Sequence, residues 1–190
     1  MMHSTEQLLP EKVRTAMLVF MAIGAAFFMI VLAVQGSVLK TPEAPWGIVS
    51  LELAWSTVKA EAILGSWSDV TNSAQQQIFL DFPFIVFYSL SLSLFVAFLS
   101  RGRESPLTRF GAKLSWVVLM SAPLDVCENL AMLFMLSREP TNALVLTSSV
   151  CAALKFALVL SVFVFAFVRL VCSVARCDSG AAGVHVRNWK

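Results

Sequence analysis

The stretch AMLVFMAIGAAFFMIVLAV, residues 16–34, is apolar throughout and carries no charged side chain. A helix needs about 20 such residues to cross a hydrocarbon core of roughly 30 Å, so this stretch is long enough to span a membrane. It is longer than the apolar core of a secretory signal, which has about 7–15 residues. Gln35 also stands where a small residue should precede a cleavage site. The stretch is therefore predicted to be a retained membrane span.

Three further apolar runs follow, and the composition of the whole chain agrees with them. Of 190 residues, 58% are hydrophobic and only 14% are charged, whereas soluble domains are nearer half apolar and a quarter charged. The four predicted spans are residues 13–35, 78–100, 113–136 and 143–172. The sequence thus predicts an all-α fold, a four-transmembrane-helix bundle in which residues 1–190 form a single integral membrane domain.

The longest connection, residues 36–77, lies between the first two spans. Pro42 and Pro45 indicate a loop at its start, and apolar residues then recur through residues 48–67 at helical spacing. The sequence predicts one amphipathic helix here that lies in the membrane interface and caps the bundle. Aromatic residues suited to the membrane–water interface flank or interrupt it, namely Trp46, Trp55 and Trp67.

Two prolines lie within the predicted spans. Pro83 falls in the first turns of the predicted second span, where a missing backbone N–H costs least. Pro123 falls inside the third span, and a proline there is expected to kink the helix.

The basic residues predict the orientation of the bundle. Three of them fall on the side of the long connection, namely Lys40, Lys59 and Arg138. Ten fall on the other side, namely Lys12, Arg14, Arg101, Arg103, Arg109, Lys113, Arg169, Arg176, Arg187 and Lys190. The positive-inside rule then places both termini and the tail, residues 173–190, in the cytoplasm. The small net charge of +2 gives no indication of nucleic-acid binding.

Cysteine and histidine usage excludes several functions. The four cysteines form no CxxC pair, which argues against a thiol oxidoreductase, and Cys127 and Cys151 fall inside predicted spans. The only histidines, His3 and His185, are in the tails, so a bis-histidine haem within the bundle is excluded. The chain contains neither a GxSxG nor an HExxH motif. No metal site and no cofactor are predicted from these residues.

Polar side chains interrupt the third span within APLDVCENLAMLF, residues 122–134. Asp125, Glu128 and Asn129 follow the spacing i, i+3 and i+4, so they share one helical face. Lys155 lies at the same depth of the fourth span when residues are counted from the connection between the two spans. Lys155 is therefore the predicted partner of Asp125 or Glu128.

The second span adds polar residues on one face, and the long connection adds an acid. Gln77, Asp81 and Tyr88 share that face, and Glu52 is able to reach the mouth of the bundle from a helix whose acids otherwise face water. The predicted ligand-binding residues are Glu52, Asp81, Tyr88, Asp125, Glu128, Asn129 and Lys155.

Charge is unbalanced within the predicted spans, where Asp81, Asp125 and Glu128 face Lys155 alone. An isolated ion in a low dielectric is costly, so at least one carboxyl is expected to be neutral unless water or a cation compensates. The competing interpretation is that these residues are structural and only fix the register of the helices.

Four pieces of the chain, GIVSLELA with AEAILGSW, LDFPFIVFY, LDVCENLA and ALKF, resemble a family of small bacterial membrane proteins with four spans. The resemblance extends from about Trp46 to Phe156 and includes the polar residues already selected. It implies a bacterial inner-membrane location and supplies neither a reaction nor a substrate.

Three kinds of function remain open at this point. In the first, an outward-facing acidic pocket binds a cation, a proton or a small polar or lipid-like ligand. In the second, Asp125 and Glu128 act in a membrane-embedded enzyme on a lipid, by acid–base chemistry or as oxygen ligands for Mg²⁺. In the third, the chain is a structural or assembly subunit. Membrane lipids are the expected partners, and four spans are few for a lone transporter, so a homo-oligomer or a membrane partner is also expected.

Overall fold

A computed structural model describes residues 10–102 and 105–184 of the chain. All regular elements in these residues are helical, and four of the helical segments are long and apolar enough to cross a membrane. The four predicted spans are thus confirmed as helices. Arg103, His3 and residues 185–190, which include Arg187 and Lys190, lie outside the described residues.

The helices follow one another in the order of the predicted spans. They are α1 (Glu11–Gln35), α2 (Ile48–Glu52), α3 (Thr57–Ser66), α4 (Thr71–Leu99), α5 (Pro106–Val117), α6 (Ser121–Ser137) and α7 (Asn142–Val184). A 3₁₀ turn, Gly36–Leu39, extends α1, and another, Val118–Met120, joins α5 to α6. Helix α7, which contains the fourth predicted span, therefore continues beyond the predicted end of that span at residue 172.

The two prolines act differently from one another. Pro123 cannot donate to the carbonyl of Leu119, and its ring crowds that group, which accounts for the 3₁₀ turn at Val118–Met120. Pro83 lies well inside α4 because that helix begins at Thr71, so its predicted place in the first turns is wrong. The helix begins earlier because Thr71 and its neighbours pack beneath the long connection.

The predicted single amphipathic helix is two short helices, α2 and α3, separated at Leu53–Ser56. Gly47, with φ of 61°, makes the turn into α2, and Ser56 caps α3 by accepting from the Lys59 N–H. Trp55 also has a positive φ of 59°, a conformation that costs a non-glycine residue about 1–3 kcal/mol. The break lets Leu51 and Ala54 pack into the core together with Ala60 and Ile63 of α3, while the other face of α3 is exposed.

Apolar residues of this connection form one core with the ends of the long helices. The buried members are Leu39, Ala44, Leu51, Ala54, Ala60, Ile63, Trp67, Ala74, Ile78, Met132, Met135 and Val145. Trp67 is fully buried, and its indole N–H donates to the Leu39 carbonyl at 2.8 Å, so its ring packs inside this core. We call this end of the bundle, which is covered by residues 40–70, the capped end.

The opposite end has its own contacts. Arg101 forms an ion pair with Glu11 at 3.2 Å, and the Arg169 guanidinium donates to the Arg101 carbonyl at 3.2 Å. A second apolar core lies nearby, formed by Val96, Leu114, Val118, Val162 and Phe165.

Between the two ends, the outer faces of the helices expose large apolar side chains, on α1 for example Phe20, Ile23, Phe27, Ile30 and Val34. Such a surface suits contact with lipid.

Candidate functional site

Lys155 of α7 is the centre of a buried ionic cluster. Its Nζ donates to Asp125 Oδ1 at 2.9 Å and to Glu128 Oε1 at 3.0 Å. Both acids come from α6, where they are three positions apart and therefore lie on one face. The predicted pairing of Lys155 with these acids is confirmed, and it involves both of them at once.

The cluster lies deep within the bundle. Lys155 follows the first residue of α7, Asn142, by thirteen positions, which corresponds to about 20 Å along the helix. Asp125 precedes the last residue of α6, Ser137, by twelve positions, or about 18 Å. Asp125 and Glu128 are 2% and 0% exposed. Buried charges of this kind persist only when they are paired, as these are.

Asp125 is bonded through both of its oxygens. Tyr88 of α4 donates its hydroxyl hydrogen to Asp125 Oδ2 at 2.8 Å, and the same hydroxyl lies 3.4 Å from the carbonyl oxygen of Ser121. Three helices therefore meet at this carboxylate. The spacing of Ser121 and Asp125 along α6 is i, i+4, a signal that pointed to Ser121 but was not used in the sequence analysis.

Asn129 and Asp81 form a second polar pair. The side-chain amide of Asn129 donates to Asp81 Oδ2 at 2.7 Å, which joins α6 to α4. Asn129 is buried, whereas Asp81 is partly accessible. This pair borders the same cavity as Asp125 and Lys155.

Glu52 reaches the cluster from the capped end. It is the last residue of α2, it is 8% exposed, and its Oε2 lies 3.7 Å from Lys155 Nζ. The Trp55 N–H donates to Ser149 Oγ of α7 at 3.1 Å, which holds the segment after α2 inside the bundle. Burial raises the pKa of the Glu52 carboxyl above its usual range, although the charge of Lys155 opposes this. Glu52 thus reaches into the bundle, whereas Glu61 of the same connection is exposed.

We name the group formed by Glu52, Asp125, Glu128 and Lys155 the acid–lysine cluster. It contains three carboxyl groups and one ammonium group, and the Asp81 carboxyl lies on the same cavity. Several buried acceptor oxygens beside Lys155 and along α4 have no hydrogen-bond partner in the described part of the chain, namely Glu52 Oε2, Glu128 Oε2 and Gln77 Oε1. The site therefore contains more carboxyl groups than ammonium groups, and several of its buried oxygens have no hydrogen-bond donor among the described residues.

A cavity of about 520 Å³ reaches the cluster, a volume typical of small-molecule sites, which have about 300–1,000 Å³. Its polar lining consists mainly of Lys40, Glu52, Gln77, Asp81, Tyr88, Ser91, Asp125, Asn129 and Lys155. Its apolar lining comes mainly from α1, α4 and α7 and includes Met29, Leu32, Phe84, Leu92, Val159 and Phe163. Glu128 does not line this cavity and lies behind Lys155.

The structure brings all seven predicted ligand-binding residues into contact with one another or with the cavity. Sequence reasoning placed Gln77 on the correct face but did not select it, and it did not identify Ser149 as the anchor of the connection. No group of three or more His, Cys, Asp or Glu residues suited to a metal ion occurs in residues 10–102 and 105–173.

Comparisons with protein-family models, with curated proteins and with solved structures found no match to this chain. The functional argument therefore depends on the geometry and chemistry of the site.

Proposed function

We propose that this chain is a bacterial inner-membrane protein that binds a small cationic ligand in the cavity beside the acid–lysine cluster. Both termini lie in the cytoplasm, and the capped end faces outward. Six basic residues of the opposite end support this orientation, namely Lys12, Arg14, Arg101, Arg109, Lys113 and Arg169. In this arrangement, α2 and α3 lie at the outer face of the membrane and cover the cavity.

The observation that carries the proposal is the presence of buried, unpartnered acceptors in residues that line a cavity where carboxyl groups outnumber ammonium groups. Glu52 Oε2 and Gln77 Oε1 are buried, lack a hydrogen-bond partner among the described residues, and belong to residues that line the cavity. A buried acceptor without a partner costs about 1–3 kcal/mol. A ligand with N–H donors and a positive charge can donate to these acceptors and pair with an ionised carboxylate, whereas an anion can do neither.

A structural role is the second candidate, and the bonding of Asp125 favours it. Both of its oxygens accept hydrogen bonds, from Lys155 and from Tyr88, so this carboxylate joins α4, α6 and α7 without a ligand. Polar contacts between membrane helices commonly have this role. The two candidates differ in whether Asp125 affects binding in a protein that remains folded.

Ligand-dependent thermal stabilisation of the purified protein tests the proposal. A short cationic probe, butylamine, is expected to raise the unfolding temperature of the parent, because a ligand that binds only the folded state stabilises it. Butyrate, a matched anion, is expected to have no effect. The response to butylamine should be lost in Asp125→Asn and kept in Asp69→Asn, because Asp69 is exposed at the capped end.

Two results would overturn the proposal. One is a parent protein that responds equally to butylamine and to butyrate. The other is an Asp125→Asn variant that unfolds at a lower temperature but responds to butylamine as the parent does, which would favour the structural role.

A further inference from the structure

The cavity has two chemically different parts. Its polar part lies at the acid–lysine cluster and includes Glu52, Gln77 and Asp125. Its other part, which we call the apolar arm, is lined by Met29, Leu32, Phe84, Leu92, Val159 and Phe163. A small polar ligand would occupy the first part only and would leave the apolar arm unfilled.

The apolar arm reaches the outer surface of the bundle between α1 and α7. Helix α1 packs extensively against α4, and its contacts with α7 in the described residues are few or absent. Met29 of α1 and Phe163 of α7 both line the cavity, yet they are 58% and 61% exposed. Since both residues lie within candidate membrane spans, this opening faces the hydrocarbon region of a membrane.

The polar part determines the chemistry of the headgroup. Glu52 Oε2 and Gln77 Oε1 are buried acceptors without a hydrogen-bond partner among the described residues, and both belong to residues that line the cavity. Three cavity-lining acids, Glu52, Asp81 and Asp125, face the single buried lysine, Lys155, while Lys40 is exposed at the rim. A headgroup with ammonium N–H donors is complementary to these groups, and a phosphate or carboxylate headgroup would be repelled by them.

We propose that the ligand is an amphiphile with one hydrocarbon chain and a primary ammonium headgroup, which enters from the membrane between α1 and α7. The ammonium group binds at Glu52 and Gln77 beside the acid–lysine cluster, and the chain occupies the apolar arm. This proposal rests on the cationic site proposed above and adds the chain, its location and the route of entry. A membrane component and a foreign amphiphilic cation share this chemistry.

Photo-crosslinking locates the hydrocarbon chain of the ligand. The probe is a dodecylamine with a diazirine at the end of its chain, added to the protein in lipid nanodiscs, and the matched anion is a dodecanoate with the same diazirine. The amine probe is expected to label peptides around Leu92 and Val159. The carboxylate probe is expected to label only outward-facing residues.

Two matched variants test whether labelling depends on the apolar arm. Val159→Phe fills the arm and is expected to reduce labelling near Leu92 at least fivefold. Leu160→Phe, on the neighbouring outward-facing residue of the same helix, is expected to leave labelling unchanged because Leu160 is 62% exposed. Equal labelling of both variants would overturn the proposed position of the chain.

The remaining outcomes separate this inference from the proposed function. Suppose that the amine probe labels only outward-facing residues while butylamine still stabilises the protein in a way that depends on Asp125. The proposal of an amphiphilic ligand is then wrong, and the proposal of a cationic site is still supported. If the carboxylate probe labels the arm as strongly as the amine probe, the headgroup assignment is wrong. An amine extracted from the protein as purified supports a membrane component as the source. A protein that is empty as purified but labelled by the amine probe supports a foreign cation.

Discussion

Lys155 is the residue on which the polar interior depends. It donates to Asp125 and Glu128 at hydrogen-bond distance and lies 3.7 Å from Glu52. Removing one partner of a buried ion pair commonly costs about 3–5 kcal/mol, because the remaining charges stay buried without compensation. Asp125 depends on Lys155 less than a carboxylate with a single donor would, because Tyr88 donates to its second oxygen.

Tyr88→Phe removes the hydroxyl donor from Asp125 and keeps the ring. We expect the free energy of unfolding to fall by about 1–3 kcal/mol, because Asp125 Oδ2 loses its donor while it stays buried. Thermal or denaturant unfolding in detergent measures this change. In the Asp125→Asn background the same substitution should cost less, and equal costs in both backgrounds would exclude coupling between the two side chains.

Glu52 gives the protein a specific pH dependence. Because burial raises the pKa of Glu52 in the folded state, the folded state binds this proton more tightly than the unfolded chain does. Its contribution to stability is therefore greatest below the ordinary carboxyl pKa, about 4.5, and decreases as the pH rises above that value. We expect Glu52→Gln to lose less stability than the parent between pH 5 and 8, as measured by thermal unfolding.

Glu61→Gln is the matched control for this experiment, because Glu61 is exposed on α3 in the same connection. It should follow the pH profile of the parent. Identical profiles for the parent and Glu52→Gln would show that the titration of Glu52 is not linked to folding.

At the scale of elements, the connection between α1 and α4 determines the shape of the site. Its helices α2 and α3 are separated by a turn in which Trp55 has a positive φ and bonds to Ser149. This turn brings Glu52 to Lys155 and buries Leu51 and Ala54 in the core at the capped end. The connection is thus a component of the polar interior as well as its cover.

Ser149→Ala tests this anchor. The Trp55 N–H loses its acceptor, so we expect faster amide exchange at Trp55 and a loss of about 1–3 kcal/mol in stability. Ser148→Ala is a matched control, because Ser148 is also fully buried but its hydroxyl has no hydrogen-bond partner among the described residues. Equal effects of the two substitutions would show that the bond to Trp55 does not hold the connection.

Gly24 marks the closest approach of α1 and α4. A Cβ at this position would overlap the ring of Phe87, so Gly24→Ala should separate the two helices and cost about 1–3 kcal/mol in stability. Gly65→Ala is the control, since a Cβ there meets open space within helix α3 and should be neutral or slightly stabilising. A Gly24→Ala variant as stable as the parent would show that Phe87 moves aside freely.

The sequence predicted the long helices and the depth of their polar residues within the bundle. Both follow from local periodicity and from the fixed rise per residue of a helix. The depth at which Asp125 meets Lys155 is an example. It could not predict the break at Leu53–Ser56, because that break depends on burial of Leu51 and Ala54 against residues of α6 and α7 that are distant in the chain. For the same reason it left the position of Glu52 open.

At the scale of the whole molecule, the cavity results from the way in which four long helices are arranged. Helix α1 packs mainly on α4, and the space between α1 and α7 remains open toward the surface. No pattern within one helix indicates this space, so the apolar arm was not predictable from the sequence. The positions of the basic residues, by contrast, are known from the sequence, and they predict which end of the bundle faces the cytoplasm.

Cysteine labelling tests the predicted orientation. In a variant without its native cysteines, Asp69→Cys at the capped end is expected to react with a membrane-impermeant maleimide in intact cells. Arg109→Cys at the opposite end is expected to react only after the membrane is opened; both positions are exposed. The reverse pattern would show that the capped end faces the cytoplasm.

Native mass spectrometry of the purified protein after incubation with dodecylamine tests the central claim most directly. The account predicts that the amine remains on the parent and on Asp69→Asn, and that it is absent from an Asp125→Asn variant whose helical content is unchanged. Retention of the same species by folded Asp125→Asn would contradict the account, because binding would then not depend on the acid–lysine cluster.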